Sequence, residues 1–172
     1  MLLSDSYRQL IEKEHQKDPK WGQTAVRRVS KILEFASRFP SKHILDYGSG
    51  SGSFGAYLSV NHPEYTVFEY EPAKADKASP PNPCEFVICV DVLEHVEPDC
   101  VDAVLDDLKR VVLHTGLFTV CMVPAGKILS DGRNAHLTIQ PADWWLEKIR
   151  QRFTIELSSH DNKGLFVIVR KI

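Results

Sequence analysis

Residues Ile44 to Gly52 read Ile-Leu-Asp-Tyr-Gly-Ser-Gly-Ser-Gly, and they constrain the fold of this 172-residue chain more than any other stretch. Apolar, extended-prone residues lead into an acid, Asp46. Glycines then stand at alternate positions, Gly48, Gly50 and Gly52. An apolar, helix-compatible run follows, Phe54 to Leu58. The pattern reads as a strand, a tight turn and a helix start. Without Cβ atoms the backbone can take positive φ and approach a ligand closely, and a helix N-terminus carries unpaired N–H groups. Such a turn commonly cradles a nucleotide-like cofactor. A nicotinamide dinucleotide turn would read Gly-x-Gly-x-x-Gly; here the third glycine comes one residue early.

The rest of the chain supplies the alternation that such a turn needs. Tyr7, Leu10 and Ile11 recur at helical spacing over residues 4–18, and Pro19 ends that helix. Trp21 follows a break and reads either as a helix-corner packing residue or as a lid over a site. A second helix spans about Thr24 to Arg38. Strand His43–Tyr47 is followed by a helix over Gly52–Val60, then by strand Tyr65–Tyr70. Glu71 to Pro83 is polar, proline-rich and aperiodic. Phe86–Val90 is a continuous apolar run, typical of a strand buried on both faces. Asp91 to Pro98 is its exit loop, and a helix from Asp99 to Leu113 has Asp99 as N-cap. His114-Thr115-Gly116 reads as a turn into strand Leu117–Val123. A loop over 124–138 precedes a helix from Pro141 to Arg150 in which one of Trp144 and Trp145 is core. Strands Phe153–Ser158 and Leu165–Arg170 form an antiparallel hairpin. Alternating strands and helices argue an α/β chain with a mostly parallel sheet and helices on both faces.

Composition excludes several classes. Hydrophobic residues are 43% and charged residues 26%, ordinary for a globular domain. No apolar run reaches the roughly 18 residues of a membrane span, and the N-terminus lacks a secretory pattern. Cys84, Cys89, Cys100 and Cys121 form no CxxC pair and read as reduced thiols of a cytoplasmic protein. A net charge of −2 argues against a dominant nucleic-acid footprint. Arg27, Arg28 and Lys31 leave a small local basic face, so nucleic acid stays open as a partner. Nothing fixes an oligomeric state.

With these residues in view, the chain resembles the class I S-adenosylmethionine-dependent methyltransferases. Asp46 to Gly52 matches the family's acid-x-Gly-x-Gly-x-Gly turn. Glu71, in Tyr70-Glu71-Pro72, closes the second strand 19 positions after Gly52, where a ribose-binding acid belongs. Asp91-Val92-Leu93-Glu94-His95-Val96-Glu97-Pro98 resembles the family's D-x-L-E-H-x-x-P loop. The reversed last strand fits too. The likeness covers about residues 42–172, with type 11-like motifs, and the stretch from Asn134 to Trp145 resembles compact phage and prophage members. It implies a Rossmann-like core over 42–172 within a single domain, preceded by a cap of two N-terminal helices over 1–40.

The resemblance also implies a site. Asp46, Tyr47, Gly48, Ser49, Gly50, Gly52 and Phe54 would hold the methionine end of S-adenosylmethionine, with the Asp46 carboxylate orienting its ammonium. Glu71 and Pro72 would take the ribose, since a carboxylate can accept from two hydroxyls. S-adenosylhomocysteine would be the product. The fourteen residues between Glu71 and Phe86 cannot hold the family's usual helix, strand and adenine-binding loop. One strand–helix unit is therefore reduced, and adenine would rest on Asn82–Cys84 or on Asp91 and Val92. His95 and His136 are candidate bases at the carboxyl edge of the sheet; His95 could equally brace its loop. Asp91, Glu94, His95 and His136 are candidate ligands for a divalent metal, as in some relatives. Asp91 to Glu94 lacks the Asn/Asp-Pro-Pro-aromatic loop of DNA-base enzymes, so a small molecule or modified nucleotide is the favoured acceptor. Two other functions fit the same motifs: a phage-type lyase or hydrolase that degrades the donor, and a non-catalytic donor-binding partner subunit.

Overall fold

The computed structural model describes residues 1–18 and 23–172; Trp21 lies outside them. The strands are β1 (His43–Tyr47), β2 (Thr66–Tyr70), β3 (Cys84–Val90), β4 (Val112–Cys121), β5 (Phe153–His160) and β6 (Gly164–Lys171). They form one sheet in the order β2-β1-β3-β4-β6-β5. β6 runs antiparallel to both of its neighbours, and the β1–β2, β1–β3 and β3–β4 pairs are parallel. The helices are α1 (Asp5–Lys17), α2 (Thr24–Arg27), α3 (Val29–Ala36), α4 (Ser53–Asn61), α5 (Val101–Val111) and α6 (Ala142–Arg150).

Two apolar clusters cover the two faces of the sheet. On one face, Leu105 and Leu108 of α5 and Trp145 and Ile149 of α6 pack on Val87, Phe118 and Val167. On the other, Ile32 and Phe35 of α3 and Phe54 and Leu58 of α4 pack on Ile44, Phe86 and Ile88. Full burial of each such side chain stabilises the fold by roughly 1.5–3 kcal/mol before the entropy of ordering it. Trp145 is buried and Trp144 is half-buried, so this pair divides as its spacing suggests.

The structure corrects the sequence reading at three places. The second N-terminal helix is divided at Arg28 (φ −104°, ψ 9°), whose N–H bonds three residues back to Ala25 rather than four. The chain passes from α5 into β4 with no turn at 114–116. Val111 and Val112 are both buried, the first by the helix face and the second by the sheet. Gly116 lies inside β4, where a Cβ would meet the Phe118 ring at 2.7 Å and Val169 at 2.8 Å. Asp99 sits in a short 3₁₀ turn, Pro98–Cys100, and Cys100 holds the N-cap position of α5. As the sequence predicts, residues 72–83 contain turns but neither helix nor strand. The sheet consequently ends at β2, where Phe68 stands 49% exposed.

α1 does not pack on the sheet. Tyr7 and Ile11 bury themselves with Ala73, Leu129 and Ala135, residues from the segments after β2 and β4. The helix therefore spans the carboxyl ends of the strands, which is where open α/β sheets bind ligands. Ser4 caps α1 through the Tyr7 amide and fastens it by donating its N–H (2.7 Å) and hydroxyl (2.8 Å) to the Glu97 carboxylate.

Candidate active site

The glycine turn is stapled to the end of β2. Gly48 and Ser49 both donate N–H to the Tyr70 carbonyl, at 2.8 and 2.9 Å, and the Gly50 amide donates to Glu71 Oε2 at 3.0 Å. The Gly52 amide goes to Ser49 O. These four donors are thus used within the protein, and what the turn presents outward is a bare backbone surface. Gly48 has φ +83°, and a Cβ there would meet Val92 at 2.5 and 2.7 Å. Gly52, the N-cap of α4 at φ +79°, has its Cβ space filled by Lys77 and Glu69, which form a 2.6 Å ion pair. Gly55 also abuts Glu69, a reason for its size that the sequence pattern did not reveal.

Two lobes of one cleft open along the strand ends, and Gly48, Asp91 and His95 line both. The first lobe is mostly apolar, with about 780 Å³ of empty space open to solvent. Tyr7 and Ile11 of α1 roof it; Gly48, Glu71, Pro72 and Val92 form its floor and wall. The second lobe, about 990 Å³ and likewise open to solvent, is more polar, with Asp46, Ser49, Glu94 and His136 on its wall. Tyr47 also borders the first lobe, but its hydroxyl donates to Asp107 of α5 at 2.8 Å. Phe54 lines neither lobe. It is 1% exposed in the cluster beneath α4, so its place is in the core rather than at a cofactor.

Burial governs the carboxylates. Asp46 lies beside Glu69 across the β1–β2 ladder. Its pKa is pushed up to about 7, first by loss of solvent and then by Glu69 and Glu71, with Lys77 opposing. Glu71 accepts from Gly50 through one oxygen and from Ala73 (3.1 Å) through the other. Burial raises its pKa while those amides resist the rise. Asp91 has φ +51°, rare for a residue with a side chain, and accepts from the Thr119 hydroxyl at 2.5 Å. Glu94 is fully buried. One of its oxygens accepts from the Cys121 amide at 2.8 Å, and burial with Asp91 nearby lifts its pKa to about 8.

The two histidines meet edge to face, ring centroids 4.8 Å apart. His95 Nδ1 lies 2.7 Å from the Ala135 carbonyl and His136 Nδ1 lies 2.6 Å from the Val123 carbonyl. A carbonyl only accepts, so each Nδ1 carries the proton and each Nε2 carries the lone pair. Burial first, and then the neighbouring His136, lower the His95 pKa to about 4. The loop over 124–138 holds His136 through Asn134, whose side chain bonds both the N–H and the carbonyl of Ala125 and accepts from the His136 amide. The same loop is tied to α1. Lys127 pairs with Glu14 at 3.5 Å, and the Ser130 hydroxyl, then Lys17 and Lys127, hold the Glu14 carboxyl down at about 2. Tyr7 donates its hydroxyl to the His95 carbonyl at 2.8 Å.

Most residues singled out in the sequence therefore converge: Asp46, Gly48, Ser49, Gly50, Glu71, Pro72, Asp91, Val92, His95 and His136 border the cleft. Of the four candidate metal ligands, Glu94, His95 and His136 group together, whereas the Asp91 carboxylate turns to Thr119. Sequence reasoning missed Tyr7, Ile11 and His15, which line the apolar lobe from α1. Their helical spacing marked a buried face, but only the tertiary structure shows what that face covers.

A glycine turn after the first strand, an acid after the second and a reversed final strand together define the donor-binding fold of the class I S-adenosylmethionine-dependent methyltransferases. A family model described as a methyltransferase domain matches residues 20–162, and the chain belongs to that family. Among solved structures, the chain is similar to the 1,6-didemethyltoxoflavin-N1-methyltransferase of Burkholderia thailandensis, solved with bound 1,6-didemethyltoxoflavin and S-adenosylhomocysteine. Identity is 16% and the TM-score 0.67, over 96% of this chain and 89% of that one. It is also similar to the N-methyltransferase NodS of Bradyrhizobium japonicum WM9 in complex with S-adenosylhomocysteine (14%, TM-score 0.62, 97% and 99% covered). A third is the magnesium protoporphyrin IX methyltransferase of Synechocystis PCC 6803, with S-adenosylhomocysteine (15%, TM-score 0.62, 91% and 87% covered). No curated protein sequence matches the chain. Among the described residues no helix is long and apolar enough to cross a membrane.

Proposed function

We propose that this methyltransferase passes the methyl group of S-adenosylmethionine to a small-molecule acceptor, with the donor in the apolar lobe and the acceptor in the polar one. The observation that carries the reading is the junction at Gly48, Asp91 and His95, where the two lobes share a wall. The donor's ribose lies against Glu71, whose two oxygens each keep a lone pair beyond their bonds to Gly50 and Ala73. Its adenine lies between Pro72 and Val92, beneath α1. Its ammonium faces Asp46 and Ser49, in the direction of the polar lobe. Residues 1–40 serve as the cap of a single domain whose core is 42–172.

The reaction needs little covalent help from the protein. An acceptor lone pair forms the new bond to carbon as the carbon–sulfur bond breaks, and the sulfur keeps the electron pair. Positioning and exclusion of water supply most of the rate. An acceptor that must lose a proton gives it to an imidazole Nε2, on His95 or His136, both fixed in the Nδ1–H tautomer. The acceptor's small size is supported by a net charge of −2 and the small molecules named for two of the similar structures.

Calorimetric titration with S-adenosylmethionine and S-adenosylhomocysteine, followed by mass analysis of the donor's products, tests the proposal. Binding of both ligands, with S-adenosylhomocysteine formed only when acceptor is present, is the expected result. Breakdown of the donor without acceptor would reveal a donor-degrading enzyme. Binding with no turnover across a panel of small acceptors would reveal a partner subunit, and absence of binding would refute donor recognition altogether.

A further inference from the structure

Glu94, His95 and His136 form a tighter set than proton transfer requires. A carboxylate oxygen and one ring nitrogen from each histidine all lie within 4.8 Å of one another. Two more observations point to an occupant. Glu94 is fully buried, and while Oε1 accepts from the Cys121 amide, Oε2 is buried with no hydrogen-bond partner. Leaving a buried acceptor unmatched costs roughly 1–3 kcal/mol. Each histidine, moreover, anchors Nδ1–H on a backbone carbonyl, Ala135 for one and Val123 for the other. That is the orienting bond by which metal-binding imidazoles fix their tautomer and ring direction.

We propose that Glu94, His95 and His136 constitute a divalent-cation site, with one carboxylate and two imidazoles as ligands and its remaining positions open to the polar lobe. This donor set suits a borderline transition cation such as Zn²⁺ or Mn²⁺ better than Ca²⁺ or Mg²⁺, which favour all-oxygen surroundings. Ligand atoms about 2.1 Å from a tetrahedral ion stand about 3.4 Å apart, so side-chain movements of about an ångström close the set. Asp91 is excluded by its bond to Thr119. The site lies in the polar lobe, so an oxygen of the acceptor would reach the cation's open positions, and His95 and His136 serve as proton acceptors only in the cation-free chain. Cation binding does not require the donor reading to hold, because each ligand is titrated separately.

The test is calorimetric titration of the chelator-treated full chain with ZnCl₂ and with MnCl₂, supported by the visible spectrum of the Co²⁺ form. One cation per chain is expected, with affinity reduced at least roughly 100-fold in His136→Ala and in Glu94→Gln. His160→Ala, an exposed histidine of β5 outside the cluster, should keep wild-type affinity. Circular dichroism establishes that each variant is folded; if Glu94→Gln is not, His136→Ala decides. Absence of stoichiometric binding to the wild-type chain, or affinity unchanged in the folded cluster variants, overturns the proposal. A parallel S-adenosylhomocysteine titration reports the donor lobe, so failure of one site is distinguishable from failure of the other.

Discussion

Replacing Asp46 by asparagine should stabilise the donor-free protein, and increasingly so as pH rises. The side chain is buried, β2 places Glu69 beside it, and Glu71 adds to the negative field, so its pKa rises from 3.8 to about 7. At about 1.4 kcal/mol per unit, the ionised carboxylate is on the order of 4 kcal/mol less favourable in the folded chain than in the unfolded one. The sign follows from proton binding. Below pH 3.8 both states hold the proton. Between 3.8 and 7 only the folded state does, so the protonated carboxyl's contribution to stability is lost progressively, and above 7 the loss is complete. Asparagine mimics the neutral acid at every pH. Asp46→Asn should therefore exceed wild type by about 2 kcal/mol at pH 5 and about 4 kcal/mol at pH 8. For a chain of this length the latter is roughly 10 °C in Tm. Urea unfolding at the two pH values measures the difference. The same variant should bind S-adenosylmethionine at least roughly tenfold more weakly, because the cationic ammonium loses its carboxylate. A variant no more stable than wild type at pH 8, or equally stabilised at both pH values, would refute the reasoning.

Four further outcomes are expected. Gly48→Ala places a Cβ against Val92 at a positive φ; calorimetry should show donor binding weakened at least roughly tenfold, with about 1–2 kcal/mol lost from folding. Glu71→Gln turns one of two accepting oxygens into a donor facing the Gly50 or Ala73 amide, so denaturant titration should show a loss of about 1–3 kcal/mol, and donor affinity should fall with it. Tyr7→Phe removes the bond to the His95 carbonyl and should cost about 0.5–1.5 kcal/mol, seen as faster hydrogen exchange in α1. Gly116→Ala crowds Phe118 and Val169 and should lower stability by about 1–3 kcal/mol with donor affinity unchanged, measured by urea unfolding and calorimetry.

The turn, the alternation of elements and the shortened segment after Glu71 were legible because each depends on local chemistry. Glycine spacing sets what a backbone can do within a few residues, and apolar runs of the type in β3 have few alternatives to a doubly buried strand. Boundaries were harder. Val112 to Gly116 carries residues that suit a turn, yet pairing with β3 and β6 draws them into β4. Phe54 stands beside the glycine turn in sequence, but helix geometry sends its ring under α4 into the core.

By itself, the sequence determined a donor-binding α/β sheet and named most of the residues along its carboxyl edge. The reason is that strand ends and turns fix where such residues emerge. Only the tertiary structure decided that α1 roofs the apolar lobe, because that depends on Tyr7 and Ile11 meeting Leu129 and Ala135 more than a hundred positions away. It also decided that Oε2 of Glu94 lies without a hydrogen-bond partner beside a pair of histidines contributed by separate loops. Hydrogen bonds between such distant segments, and the desolvation that shifts Asp46 and Glu94, belong to packing, and no window of the sequence contains them.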